Sequence, residues 1–356
     1  MTSFSRGVAA DGGARQRAGD EYRKKPQSHV GEAQETCYCI LVQTLISRRS
    51  FLAAAACAPL SAADTPVIDF HQHTHYSGRT DDELVAHQRT MGVSLTVLLP
   101  AGSRYGLAAD AWGNDSVVAL ARRYPKQFVF FANELPDLPE TTAVLEKYLK
   151  LGAKGIGEQK FPVDCDSAPM RRVFDVARDY RVPVLIHFEH EHYNMGIERF
   201  HKVLEKYPAV NFIGHAQTFW GNIDRNHQQP VMYPKGPVTP GGISDRLLAD
   251  YPNMWGDLSE GSGINAMLRD EDHARAFLAR RQDRLVWASD CNDREGRGEK
   301  CSGSQQLAAI RRLAPADALP GKVRHVQEGG SITVLGDTRT QHKIRLTGID
   351  APERGQ

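Results

Sequence analysis

The chain has 356 residues, 44 of them Lys or Arg against 43 Asp or Glu, for a formal net charge of +1. That balance excludes whole-molecule steering toward nucleic acid or an acidic membrane, and the lack of an apolar run of about 18 residues excludes an ordinary membrane span. Hydrophobic residues at 41% and charged residues at 24% describe a soluble globular chain, long enough for one large domain with additions or for two ordinary ones.

Residues 1–46 are rich in Gly, Ala, Arg, Gln and Glu without sustained periodicity, and read as a disordered extension. Residues 47–63 follow as Ser47-Arg48-Arg49-Ser50-Phe51-Leu52, an Ala-rich apolar stretch, and Ser61-Ala62-Ala63. Twin arginines before a short apolar core and small residues resemble a bacterial twin-arginine export signal, which implies a periplasmic or secreted protein. The other reading, a chance basic pair before a short helix, leaves the protein cytoplasmic. Export signals stand at the N-terminus, so the signal reading places the translation start near Leu45.

From residue 64 to about 319, short apolar runs alternate with amphipathic segments. The runs predict strands over 67–71, 94–99, 128–132, 152–157, 182–187, 210–215, 254–258 and 285–289. The segments between them predict helices over 112–124, 138–149, 170–180, 197–207, 270–280 and 305–313. Such alternation predicts an α/β fold, a (β/α)₈ TIM barrel with a parallel sheet.

Four of these strands end in metal-ligand residue types. His71 and His73 are spaced i, i+2, so strand alternation turns both imidazoles to one side. His187, His215 and Asp290 close three later strands. Ligand-type residues at the C-terminal ends of several strands are how such barrels build active sites. The cysteines form no CxxC pair, which argues against a zinc ribbon, while Cys291 and Cys301 flank a charged loop and read as a disulfide or as two free thiols.

The motifs Ile68-Asp69-Phe70-His71-Gln72-His73, Pro183-Val184-Leu185-Ile186-His187, Phe212-Ile213-Gly214-His215-Ala216 and Ala288-Ser289-Asp290 resemble the amidohydrolase superfamily. The likeness is to the amidohydrolase-related branch that includes aminocarboxymuconate-semialdehyde decarboxylase and lactone hydrolases. It implies that His71, His73, His187 and Asp290 ligate a divalent metal. Zinc fits a mixed N/O set best, with Mn²⁺ or Fe²⁺ as alternatives. His215 and Asp290 are then the catalytic residues: Asp290 takes a proton from a metal-activated water, and His215 polarises the substrate. In binuclear relatives the end of the fourth strand bridges two ions, so Glu158 or Lys160 is either a further ligand or a substrate contact.

His75, Lys160, Gln217 and Trp220 are expected to meet substrate, with Arg79, Arg104, Tyr105, His190, His192 and Tyr233 on loops of the same face. The implied function is a metal-dependent hydrolase of a small lactone, ester or amide, with non-oxidative decarboxylation as the alternative. The expected partner is a small-molecule substrate; neither nucleic acid nor a stable membrane anchor is expected.

Residues 320–356 change character. The run His342-Lys343-Ile344-Arg345-Leu346-Thr347-Gly348-Ile349-Asp350-Ala351-Pro352-Glu353 resembles the start of a thermonuclease (staphylococcal nuclease-like) domain, an OB-type barrel. That family's Asp-Gly-Asp-Thr stands here as Glu328-Gly329-Gly330-Ser331, so Gly330 supplies no carboxylate for calcium. The segment is read as a small truncated β (OB-like) fragment and a marginal appendage. A calcium-dependent nuclease, or an inactive fusion product, is the lesser reading of the chain.

Overall fold

In the computed structural model of the protein, residues 67–103 and 111–315 are described in full, together with the backbone of strands 323–327, 331–335 and 341–345. The chain divides into Met1–Cys57 and Ala58–Gln356. The expected extension and export signal, and the loop carrying Arg104 and Tyr105, lie outside the described residues.

Eight parallel strands carry the main domain: β1 (Val67–Gln72), β2 (Val93–Leu98), β3 (Phe128–Phe130), β4 (Ile156–Gln159), β5 (Val184–His187), β6 (Phe212–His215), β7 (Met254–Asp257) and β8 (Leu285–Val286). They form two ladders, β1-β2-β3 and β4-β5-β6-β7-β8. Backbone bonds join the ladders at both seams. Ala132 bridges Ile156, with Ala132 N donating to Gly155 O and Gly157 N to Ala132 O. On the other side Phe70 N donates to Trp287 O and Asp290 N to His71 O. The sheet thus runs through all eight strands in order, as a (β/α)₈ barrel requires.

Nearly every strand is buried on both faces, as expected of a parallel sheet under helices. Phe70, Val97, Leu99, Phe131, Leu185, Ile213, Trp255, Val286 and Ala288 form one cluster, the packed barrel interior. Their neighbours on the strands, such as Leu98, Phe130, Val184, Ile186, Phe212 and Leu285, join a second, larger cluster with the helices outside.

Those helices are α1 (Asp81–Thr90), α2 (Asn114–Arg123), α3 (Thr141–Lys150), α4 (Ala168–Tyr180), α5 (His201–Lys206), α6 (Ala216–Gly221), α7 (Ile243–Asp250), α8 (Glu260–Leu268), α9 (Glu271–Arg281) and α10 (Ser302–Leu313). Local chemistry starts several of them. Thr80 and Glu83 make a capping box at α1; Ser167 caps α4 ahead of Pro169, and Asp270 caps α9. Among the described residues no helix is long and apolar enough to cross a membrane.

The fourth strand sits about four residues later than its apolar run suggests. Gly152, at φ 108°, ends the turn after α3, and Lys154 N bonds back to Phe130 O, so pairing with β5 begins only at Ile156. Gly155 is required there because a side chain would collide with the Phe131 ring. The segment expected as one helix over 197–207 is a short 3₁₀ turn followed by α5.

In the tail, β9 (Val323–Gln327), β10 (Ser331–Leu335) and β11 (Gln341–Arg345) pair antiparallel in the order β11-β10-β9. The thermonuclease-like residues Gly330, Asp350 and Glu353 lie outside the described residues.

Candidate metal centre and active site

The C-terminal ends of six strands converge on one buried cluster: His71 and His73 from β1, Glu158 from β4, His187 from β5, His215 from β6, Asp257 from β7, and Asp290 beyond β8. The first strand delivers two imidazoles next to a bulge. The β1–β2 register slips between Asp69 and Gln72. Phe70 stays in the barrel interior, while His71 and His73 both turn toward the cluster. His187 and His215 are register neighbours on adjacent parallel strands.

The two β1 histidines are oriented from behind. His71 Nδ1 lies 2.8 Å from Asp257 Oδ2, and His73 Nδ1 lies 2.7 Å from the carbonyl of Leu99. A carboxylate and a carbonyl only accept, so each Nδ1 carries a proton and donates it. In the neutral rings this leaves both Nε2 atoms as lone pairs, and they stand 3.0 Å apart. Asp290 Oδ1 lies 3.7 Å from His71 Nε2 and 3.4 Å from His73 Nε2, is buried, and has no hydrogen-bond partner. Glu158 Oε2 is 3.5 Å from both nitrogens. Two facing lone pairs and an orphaned carboxylate oxygen form a donor set that fits a divalent cation.

With no cation bound, a proton on His71 supplies the positive charge that a metal ion would bring. Burial disfavours a charge on His71, but Asp290, Asp257 and Glu158 outweigh it and raise its pKa well above the ordinary value. Burial works against ionisation of Asp290 too, yet His71 and His73 hold it below the usual carboxylate range. Glu158 is likewise held ionised against its burial, by His187 and then His71. The pocket favours positive charge at its centre.

His215 differs. Burial lowers its pKa to about 4 despite the pull of Asp257, so its ring is neutral near pH 7. Its Nδ1 faces Ser259 Oγ at 3.0 Å and Asp257 Oδ2 at 3.4 Å, while Nε2 looks into the cluster, 3.5 Å from Asp290 Oδ2. His187 is engaged on both nitrogens, by Glu158 Oε1 at 2.5 Å and Glu189 Oε2 at 3.0 Å. It therefore meets the His71–His73 pair through Glu158 rather than directly.

Of the residues expected to meet substrate, some belong elsewhere. Trp220 is buried in α6, packs on Phe219 and Phe277, and donates its indole N–H to Asp257 O at 2.6 Å. It is a core residue that supports β7, because the short α6 turns that face inward. Arg79 is also buried. It donates to Cys291 O at 2.8 Å, to Asp293 O at 2.9 Å and to Gln72 Oε1, clamping the loop after β8.

The remainder sit at the rim. His75 stacks on Trp112 and lies 3.5 Å from Asp81. Gln217 donates to the Tyr233 hydroxyl, and Lys160 lies over the Tyr193 ring. His190 and His192 surround the Glu189 loop.

Three residues at the site carried no sequence signal strong enough to single them out. Asp257 follows Gly256 as a lone carboxylate, although its place at the end of β7 matches that of the other ligand types. Tyr76 sets its ring edge-on to His73 and close to Asp290. Glu260, at φ 55° where α8 begins, has its pKa raised by burial and by Asp290.

A family model described as amidohydrolase matches residues 68–292. Solved structures similar to this chain include a TIM-barrel protein of Bordetella bronchiseptica, at 13% identity and TM-score 0.49, over 70% of this chain and 95% of that one. A probable 2-pyrone-4,6-dicarboxylic acid hydrolase of Acinetobacter baumannii is 13% identical with TM-score 0.47, over 69% and 91%. A 2,6-dihydroxybenzoate decarboxylase from Rhizobium is 14% identical with TM-score 0.40, over 70% and 98%. No curated protein matches the chain.

Proposed function

This chain belongs to the amidohydrolase family and is an enzyme of that type, and from that premise we propose that it hydrolyses a small lactone, ester or amide with the help of one divalent metal, zinc. The observation that carries the reading is the pair of Nε2 lone pairs of His71 and His73, 3.0 Å apart beside the unpartnered Asp290 Oδ1. His71, His73 and Asp290 would hold the ion, with Glu158 and His187 behind them. Imidazole-rich mixed N/O donors favour zinc over manganese or iron. A divalent ion bound there supplies Lewis acidity and lowers the pKa of a water ligand to about 7 in the case of zinc.

The protein's own groups divide the remaining work. Asp290, kept ionised by its two histidines, accepts the proton of the attacking water and returns it to the leaving oxygen or nitrogen. Ser259 Oγ can donate to His215 Nδ1, which leaves the Nε2–H of a neutral ring to polarise the substrate carbonyl. Asp257 holds His71 in the tautomer that binds metal. The barrel layer beneath, with Phe70, Leu99 and Phe131 among its residues, excludes water from the floor.

The test is metal analysis of the purified protein, followed by assay of lactones, esters, amides and hydroxylated aromatic acids. Product formation with uptake of water and loss of activity on metal removal support the hydrolase. Release of carbon dioxide from an acid substrate would replace it with the decarboxylase. Full activity after complete removal of metal would overturn both.

A further inference from the structure

A second group of ligand-type side chains lies on the outer side of the barrel, behind the loop that follows Asp290. His87 from α1, Cys291 and Asp293 from that loop, and Cys301 at the start of α10 bring one donor atom each within 4.8 Å of all the others. The sulfurs of Cys291 and Cys301 are 3.6 Å apart, and Cys301 Sγ is 3.6 Å from His87 Nε2. Asp293 Oδ2 lies 2.8 Å from His87 Nε2 and 2.8 Å from Cys291 Sγ. His87, Cys291 and Cys301 are buried, and the Asp293 side chain is 10% exposed.

The sulfur–sulfur and sulfur–nitrogen separations are those of a tetrahedral site. With Zn–S of about 2.3 Å and Zn–N of about 2.0 Å, tetrahedral angles put sulfur about 3.8 Å from sulfur and about 3.5 Å from nitrogen. Both 3.6 Å separations match, while Asp293 Oδ2, at 2.8 Å from His87 Nε2 and from Cys291 Sγ, has to move outward by roughly half an ångström to reach its vertex. A disulfide needs the sulfurs at about 2.05 Å, and both cysteines are free thiols.

The surroundings hold the donors in place. Asp293 Oδ1 accepts from the backbone N–H of Glu295 and Gly296, which commits Oδ2 alone to the cluster. Cys301 Sγ accepts the N–H of Ser304 in the first turn of α10, which fixes where the sulfur points. The buried Arg79 guanidinium, bonded to the carbonyls of Cys291 and Asp293, holds the loop that carries two of the donors. Gly296, at φ 72°, lies so close to the backbone of His87 that a side chain there would collide with it.

We propose that His87, Cys291, Asp293 and Cys301 form a structural zinc site that pins the loop after β8 to α1 and α10. It has four protein donors and leaves no position for substrate, as structural zinc sites do. Its effect on the barrel centre is to fix the loop that begins at Asp290.

Cobalt substitution of the full chain tests this, because thiolate–cobalt charge transfer in the near ultraviolet reports only a site with sulfur ligands. The proposed catalytic centre has none. The expected result is that band in the wild type, with total metal of about two equivalents per chain. Cys301→Ser and His87→Gln should each lower the content to about one and remove the band, whereas His71→Ala should keep the band and lose the other equivalent. If a variant does not fold, alkylation of the wild type followed by peptide mass spectrometry decides. Cys291 and Cys301 should react only after a chelator is added, without reductant. Free reaction of both thiols in metal-replete protein, or a linked 291–301 peptide opened only by reductant, would overturn the site.

Discussion

Asp257 reaches both histidines that flank the centre of the cluster: its Oδ2 is 2.8 Å from His71 Nδ1 and 3.4 Å from His215 Nδ1. One carboxylate, itself fully buried, thereby orients a proposed metal ligand and lies beside the ring proposed to polarise the substrate. It is held by the N–H of Ser259 on its other oxygen.

Asp257→Asn should therefore weaken metal binding by on the order of 10–100-fold, since a carboxamide accepts less strongly and can present its NH₂ to His71. Calorimetric titration of metal into the stripped protein measures it. Affinity equal to that of the wild type would remove Asp257 from the site.

His215→Ala should retain the ion and lose turnover by on the order of 10²–10⁴-fold, because His215 faces the cluster without sharing the facing lone pairs of His71 and His73. His71→Ala should lose metal and turnover together. Equal metal loss in the two variants would make His215 a ligand.

Asp245 accepts from Arg280 and Arg281 at 2.9 Å each, tying α7 to α9. Burial pushes its pKa up, but the two guanidiniums outweigh this and lower it. A depressed folded-state pKa contributes stability that is complete above the unfolded value of about 3.9 and fades as pH falls through the folded one. Asp245→Asn should cost about 1–3 kcal/mol at neutral pH, with the gap to wild type closing below about pH 4. Chemical denaturation at several pH values checks this, and a gap that widens in acid would contradict it.

Phe174 packs edge-on against both Phe212 of β6 and Tyr207, fully buried between α4 and the barrel. Phe174→Ala should destabilise the fold by about 3–5 kcal/mol through lost burial and a residual cavity. Metal content per folded chain should stay unchanged, since the ring lies outside the barrel; loss of metal at temperatures where the variant remains folded would refute that separation.

Export is the remaining expectation. Replacing Arg48 and Arg49 by Lys should retain the protein in the cytoplasm, as read by fractionation of expressing cells. Unchanged fractionation would dismiss the signal.

Much of the site was legible in the sequence because barrel strands announce themselves as apolar runs, and His71, His73, His187, His215 and Asp290 terminate such runs. Asp257 was not, because a single Asp after a glycine has the look of any strand end. Its role depends on β7 lying beside β6 and across from β1, which is a tertiary fact. Trp220 misled for the opposite reason: an aromatic just after a histidine-bearing strand suggests a substrate platform, while the turn of α6 buries it. The β1 bulge left no signature, since alternation alone already pairs His71 with His73.

The seam between the first and last barrel strands has a kinetic meaning. Ser289 donates its N–H to Asp69 across 220 residues of sequence, and Asp290 N reaches His71 O at the same seam. The proposed ligands thus come from opposite ends of the domain, so no fragment of the nascent chain holds the complete donor set. Contacts of such sequence separation form slowly. On the proposed ligand set, tight ion capture would wait until the ring has closed.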